Sequence, residues 1–396
     1  MRVLFTSAAG FGHLHPKMPL AAALVRAGHD VVFAIPQRFC ERVEQAGFCA
    51  IATGPDGRQL AEMMSQQHPD TTQIAAADRL RFAFTTIIGI AVPAVLEDLV
   101  PLVADWLPDL IVHDPSDWAA PIAAETAGVA YVNQSWGPLF PRDELEVGAA
   151  AVAPMWRSRN LEPPPFGGMF RHGYLDLCPP SLQEPHVAGL DVPRQPLRPV
   201  PFDAVGDERL PDWIHQMPEQ PTVHVTLGTW FNLEIDVFST VLEGLAGEPV
   251  NVVVTVGHAN DPEAFGPQPD NVHIDRYIPV SLLLPHCDMV IGHGGAGSTL
   301  AALANGLPLL LLPRGADQFH NAERCIACGA GRCLPPHELN PATVRRDARA
   351  LLDEPHFRHA AESLRDEIAA MPAPVEVVPG LERLAGTAGR SITDIR

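Results

Sequence analysis

The chain of 396 residues carries 47 acidic and 27 basic side chains, a formal net charge of -20, with 46% hydrophobic and 19% charged residues. That length is too great for one ordinary core and predicts two domains, and the many short apolar runs broken by Pro, Gly and Asp exclude a disordered chain. An acidic surface repels phosphate backbones, so nucleic acid is excluded as a partner and any phosphate ligand must be held locally.

The opening MRVLFTSAAG is too polar for a signal h-region or a membrane span, so the chain reads as cytoplasmic with no integral membrane segment. Residues 3–7 read as a buried strand, followed by a glycine-bearing turn and an apolar periodic helix to residue 27, closed by Gly28. Within it Lys17 is the only lysine of the chain, and no GxxxxGK[ST] occurs, so anion binding falls to arginine, histidine, hydroxyls and helix N-termini. Strand 30–35, a helix ending near 46–47 and strand 49–53 repeat the alternation, as do strand 109–113, helix 118–126 and strand 129–133. This is the pattern of a parallel α/β sheet with crossover helices.

From 193 to 221 the sequence turns rich in proline and acidic residues (VPRQPLRPVPFDAVGDERLPDW), which predicts an interdomain linker. Strands are then expected at 222–227, 250–256, 271–275, 289–292 and 307–312, with helices between them. The expected division is an N-terminal Rossmann-like domain over 1–200, a linker over 201–220, a second such domain over 221–375, and a last amphipathic segment over 376–396 that must dock elsewhere. Seven cysteines, an odd number, include one CxxC at Cys325 and Cys328 without a second ligand pair. They read as buried thiols, with neither a disulfide framework nor a metal site.

Three segments carry chemistry. AGFGHLHP (9–16) lies where the first strand hands over to its helix, the edge where open α/β sheets bind ligands. Gly10 and Gly12 match G-x-G, but His15 stands where a dinucleotide fingerprint needs its third glycine. His13 is either a base aimed into the crevice or a structural helix-cap histidine. Asp114, at the end of DLIVHD, would emerge on the same edge and could fix its tautomer. Asp117 is a rival partner that reads equally as a helix N-cap.

GHGGAGST (292–299) is a glycine-rich loop opening a helix expected over 300–305, and it offers backbone N–H groups, the hydroxyls of Ser298 and Thr299, and His293 to a phosphate. The bland alternative is a tight turn with Ser298 as N-cap. PRGADQFHN (313–321) follows another apolar strand, and Asp317 with Gln318 would suit the hydroxyls of a sugar.

HGGAGSTLAALANGLPLLLLPRGADQFHNA resembles the donor-site signature of family 1 glycosyltransferases, especially bacterial enzymes that decorate natural products. GFGHLHP resembles their N-terminal GHxxP motif, and MPAPVEVVPGLERLA resembles the final helix that crosses back to the N-terminal domain. The resemblance implies the GT-B fold, two Rossmann-like domains facing a central cleft. It implies His13 as the base and Asp114 as its partner. It further implies that Thr229, His293, Gly294, Gly295, Gly297, Ser298 and Thr299 contact the donor diphosphate, that Asp317 and Gln318 face the sugar, and that Asn321 helps close the pocket. In place of the family's aromatic, spacer, Pro and Gln the chain has Tyr277-Ile278-Pro279-Val280. Tyr277 can still stack on the base, but the missing amide leaves uridine and thymidine open.

The expected reaction is an inverting, metal-independent transfer from a dTDP- or UDP-sugar to a hydroxyl of an apolar aglycone, with no cofactor beyond the donor. The acceptor is expected against Gly12, Phe84, Trp136 and Phe140, in a region that also holds Phe82, Met155, Trp156, Phe166, Met169 and Phe170; core packing is the competing reading for each aromatic. The alternatives are an epimerase or hydrolase of the same fold and a non-catalytic nucleotide-sugar-binding partner. The oligomeric state, a homodimer included, stays open.

Overall fold

The computed structural model describes the backbone of residues 1–67, 76–203, 208–228 and 234–386, and their side chains outside 67–84. The chain divides into two compact units. One holds Met1–Leu177, Glu184–Leu197 and the segment opening at Pro372; the other holds Cys178–Gln183 and Arg198–Met371.

In the first unit β1 (Arg2–Thr6), β2 (Asp30–Ile35), β3 (Cys49–Ala52), β4 (Leu110–His113), β5 (Ala130–Gln134), β6 (Tyr174–Asp176) and β7 (Arg194–Pro196) form a parallel sheet in the order β3-β2-β1-β4-β5-β6-β7. The continuous helix expected up to residue 27 is divided into α1 (Phe11–Leu14), a single 3-10 turn over His15–Lys17, and α2 (Met18–Arg26). Pro16 and Pro19 cause the division: each opens a new segment, where its missing N–H costs nothing. Gly28, at φ 85, then ends α2 in a conformation that a side chain would resist. β6 and β7 lie within stretches where no strand was expected. Each is three residues long, and Pro196 is tolerated because β7 is the sheet's edge.

α3 (Gln37–Gln45), α4 (Gly57–Gln67), α5 (Ala76–Trp106), α6 (Ala119–Ala127) and α7 (Arg142–Arg157) complete the crossovers. Within α5 the stretch Thr85–Trp106 is long and apolar enough to cross a membrane by length and composition. Its Ile88, Val92, Leu96, Leu99 and Val103 are buried in one core with Leu4, Ile111, Ile122, Trp118 and Trp156, so this helix serves as the sheet's cover. Burying such a side chain contributes roughly 1.5–3 kcal/mol, which explains why a strongly apolar helix is packed against the sheet.

In the second unit β8 (Thr222–Thr226), β9 (Asn251–Thr255), β10 (Val272–Asp275), β11 (Met289–Gly292), β12 (Leu309–Leu311) and β13 (Gly331–Cys333) form a parallel sheet in the order β10-β9-β8-β11-β12-β13. Around it run α8 (Ile235–Leu245), α9 (Val280–Leu283), α10 (Ala296–Ala304), α11 (Gln318–Ala327), α12 (Pro341–Asp353) and α13 (Pro355–Ala370). The last helix, α14 (Pro374–Ala385), returns to the first unit and packs on α2, where Glu382 meets His29 at 2.9 Å.

The first six strands of each sheet follow one order, 3-2-1-4-5-6 counted within the unit. In such a Rossmann-like sheet the chain runs outward in opposite directions from the first and fourth strands, which leaves a crevice beyond their C-terminal ends. β1 pairs with β4 there, and β8 with β11.

Candidate active site

Beyond β1 and β4 the backbone brings His13 and Asp114 together across 101 residues of sequence, Nδ1 to Oδ1 at 3.5 Å, an ion-pair distance longer than a strong hydrogen bond. The His13 side chain is 27% exposed and that of Asp114 is 1% exposed. The imidazole meets the Trp136 ring edge-on at 4.4 Å, and Trp136 meets Phe140 at 5.7 Å. Gly10 is required beneath it, since a Cβ there would stand 2.9 Å from His13 Cδ2. Gly12 is exposed, and a Cβ there would meet nothing within 4 Å, so the approach beside His13 is open.

The closest partner of Asp114 is Lys17, Nζ to Oδ2 at 2.7 Å, with Lys17 itself 1% exposed. Lys17 also donates to the His13 carbonyl at 2.8 Å and to Ser7 Oγ at 3.4 Å, so each of its three protons has an acceptor. Asp114 further accepts from Ser7 Oγ at 3.2 Å, from Ala8 N at 3.3 Å and from Ser116 N at 2.9 Å. Burial pushes its carboxyl pKa upward, but Lys17 and then His13 outweigh burial and hold it well below the usual carboxylate range. Asp117 is not in the ion pair with His13; it accepts from the backbone N–H of Ala119 and Ala120 at 3.1 Å, at the start of α6. Its burial, then the charge of Asp114, push it up to about 6. His113, fully buried, is lowered by burial to about 4.

The corresponding edge of the second sheet is built differently. His293 follows β11, is 9% exposed, and lies between two glycines. A Cβ at Gly228 would come within 2.4 Å of its Cε1, and one at Gly295 within 2.4 Å of its Nε2. Burial lowers its pKa to about 4, opposed by a bond to the Thr226 backbone. The helix was expected from Leu300 but starts at Ala296, directly after Gly295, so Gly297, Ser298 and Thr299 lie in its first turn and Ser298 is not the N-cap. The first helical bond closes at Gly295, whose carbonyl accepts from Thr299 N at 3.0 Å, and Ser298 Oγ donates to the same carbonyl at 3.0 Å instead of accepting from the turn. The first N–H groups of α10 therefore open beside His293, a geometry suited to an anion. Thr299 Oγ1 is buried without a hydrogen-bond partner among the described residues.

Asn321 ties this turn to the next one: its side-chain amide donates to the Gly294 carbonyl and to Asp317 Oδ2, both at 2.8 Å. Gln318 is 3% exposed, and its Oε1 accepts from Arg314 N at 2.7 Å and Gly315 N at 3.2 Å, which holds the loop after β12 closed. Arg314 Nε in turn donates to Glu234 at 2.7 Å. Ala316 takes φ 51, a left-handed backbone for a residue with a side chain, between Arg314 and Asp317. Tyr277 stacks on His258 at 5.2 Å, and its hydroxyl donates to the Asp203 carbonyl.

Of the residues singled out from sequence, the first edge assembles Gly12, His13, Asp114, Trp136 and Phe140, and the second His293, Gly294, Gly295, Gly297, Ser298, Thr299, Asp317, Gln318 and Asn321. Thr229 and the side chains of Phe82 and Phe84 lie outside the described residues. Trp156, Met169 and Phe170 are buried in the core of the first unit. Sequence reasoning did not identify Lys17 as the partner of Asp114, nor Gly228 as the floor of His293. The signal for Lys17 was its place four residues after His13, one helical turn on.

The chain matches family models for the erythromycin biosynthesis protein CIII-like N-terminal domain over residues 22–228 and C-terminal domain over 239–384. It is 34% identical to the L-demethylnoviosyl transferase of Streptomyces niveus, covering 96% of this chain and 97% of that protein. It is 30% identical to the 10-deoxymethynolide desosaminyltransferase of Streptomyces venezuelae over the full length of both. Among solved structures, glycosyltransferase VinC in complex with dTDP superposes with a TM-score of 0.81 at 28% identity, covering 98% of this chain and 100% of that one. The spinosyn rhamnosyltransferase SpnG complexed with thymidine diphosphate gives 0.81 at 26% identity, over 96% and 100%.

Proposed function

Because the chain belongs to the erythromycin biosynthesis protein CIII-like family of natural-product glycosyltransferases, with the GT-B fold, we propose that it transfers a sugar from dTDP to a hydroxyl of an apolar polyketide-like aglycone with inversion. Thymidine is preferred to uridine because VinC and SpnG are both solved with thymidine diphosphate. A polyketide-like acceptor follows from the relatives' own acceptors, a deoxymethynolide among them.

The first unit supplies the base. His13 Nδ1 faces Asp114, which leaves Nε2 to take the acceptor proton as the acceptor oxygen bonds to the anomeric carbon. The bond from that carbon to the diphosphate breaks, its electron pair leaves on phosphate oxygen, and the proton on His13 passes to solvent. The second unit receives the leaving group. Charge grows there in the transition state, and preorganised N–H groups of α10 with the His293 ring stabilise it more than they stabilise the bound donor. Asp317, Gln318 and Asn321 hold the sugar side of the pocket, and Tyr277 the base.

The observation that carries this reading is the occupation of both switch points by unlike chemistry, a carboxylate-backed imidazole in one sheet and a glycine-lined helix start in the other. The test is mass spectrometry of the purified chain with dTDP- and UDP-sugars and polyketide aglycones. A mass gain of one sugar on the aglycone, abolished in His13→Ala, supports it. Free sugar or epimerised donor formed equally without aglycone would make the chain a hydrolase or epimerase instead.

A further inference from the structure

Asp114 stands between two nitrogen partners, the Lys17 ammonium and the His13 imidazole, and the nearer is Lys17. The ammonium lies 2.7 Å from Oδ2, whereas the imidazole lies 3.5 Å from Oδ1. Both the lysine and the carboxylate are 1% exposed, so water screens neither. A buried lysine is costly unless fully paired, and this one, the only lysine in 396 residues, has an acceptor for each proton. The other ionisable groups on the surrounding elements are His15 on the same turn, and His113 and Asp117 beside Asp114 on β4 and the loop after it. His113 is lowered by burial to about 4, and Asp117 is raised by burial to about 6. Neither adds a cation near neutral pH.

A bare carboxylate beside an imidazole favours the imidazolium, and an imidazolium cannot act as a base. We propose that Lys17 is a positioning residue of the reaction: it neutralises Asp114 at the carboxylate oxygen that does not face His13, so that the carboxylate orients the imidazole without holding it protonated. Lys17 thereby sets the pH range in which His13 accepts a proton. It also fixes the His13 backbone through the carbonyl it bonds, so base and counter-charge move as one turn of chain. The inference rests on His13 being the base.

The test measures two things on the full chain. The first is the titration midpoint of His13, followed by NMR of protein labelled at the histidine ring carbon and assigned by the signal lost in His13→Gln. The second is the acid limb of kcat/KM against pH. In Lys17→Met the lone carboxylate should raise the midpoint by about one to three pH units, with the acid limb following it. In Asp114→Asn the lone ammonium should move it below wild type, and the double variant should return it towards wild type. A folded Lys17→Met with an unmoved midpoint overturns the inference. Should Lys17→Met fail to fold, Asp114→Asn against the double variant decides, since equal midpoints there overturn it too. A midpoint that moves while the acid limb stays removes His13 as base and this inference with it, and a wild type without transfer activity refutes the functional reading on separate grounds.

Discussion

At the end of β4 a buried carboxylate is matched by a buried ammonium, and the imidazole beside them, the proposed base, is partly exposed. At the end of β11 a buried imidazole has two glycines for walls and a helix start for company. The two sheets share strand order and crevice, so the difference lies in what each edge must do. A base has to hold one protonation state in the free enzyme and change it during reaction, which calls for fixed charges set against each other. A diphosphate site, as proposed for the second edge, empties in every catalytic cycle, and a buried permanent cation would then have no partner. Backbone N–H groups and a neutral imidazole avoid that cost.

The comparison breaks most visibly at His13. His13→Ala should lower kcat by about 10²- to 10⁴-fold with donor affinity nearly unchanged, measured by steady-state rates and dTDP titration calorimetry. Turnover near wild type would take the base away from the first edge altogether.

Asp117 sharpens the electrostatic side. Its folded value of about 6 lies above the unfolded value of about 3.9, so the carboxylate is the disfavoured form in the fold. Its contribution to stability is therefore fully present below about pH 4 and lost as pH rises through about 6, a change of about 3 kcal/mol. Asp117→Asn keeps an acceptor for α6 and loses this dependence. Urea unfolding at pH 4 and pH 8 should show the wild type falling relative to the variant by about 2–3 kcal/mol. Parallel behaviour of the two proteins would mean that the charge pattern beside Asp114 is misread.

The second edge should respond to volume instead. Gly295→Ala puts a methyl 2.4 Å from the His293 ring and should weaken dTDP binding by about 10- to 100-fold, the equivalent of roughly 1–3 kcal/mol of overpacking. Gly228→Ala meets the same ring and adds backbone strain at φ 68, so its loss should be the larger of the two. Smallest of all is the pH response of His293. With a value of about 4 in the free enzyme, its ring signal should not titrate between pH 5.5 and 8, and a midpoint above 6 would show a charged group at the edge we describe as neutral.

The second edge was the more legible from sequence, because its chemistry is local. Strand 289–292, the glycines and His293 lie within one short run, and the helix start departed from expectation, moved from Leu300 to Ala296 by the backbone bond from Thr299 N to the Gly295 carbonyl. The first edge depends on a pairing between residues 97 apart, and nothing near Lys17 in the sequence names its acceptor. Strand ends could suggest that Asp114 meets His13, since parallel strands deliver their C-termini to one edge. They could not show that Lys17 stands closer to Asp114 than His13 does. The short strands β6, β7 and β13 escaped for a similar reason: three residues carry no measurable alternation, and the neighbouring strand defines them.

The lone lysine has a practical corollary. A protease specific for lysyl bonds has one place to cut in these 396 residues, after Lys17, and in the native fold that bond's side chain is shut away. A brief pulse of such an enzyme should leave folded molecules whole and nick unfolded ones once, just after Lys17, so a gel would report the unfolded fraction directly in crude mixtures, with no label and no assay of turnover.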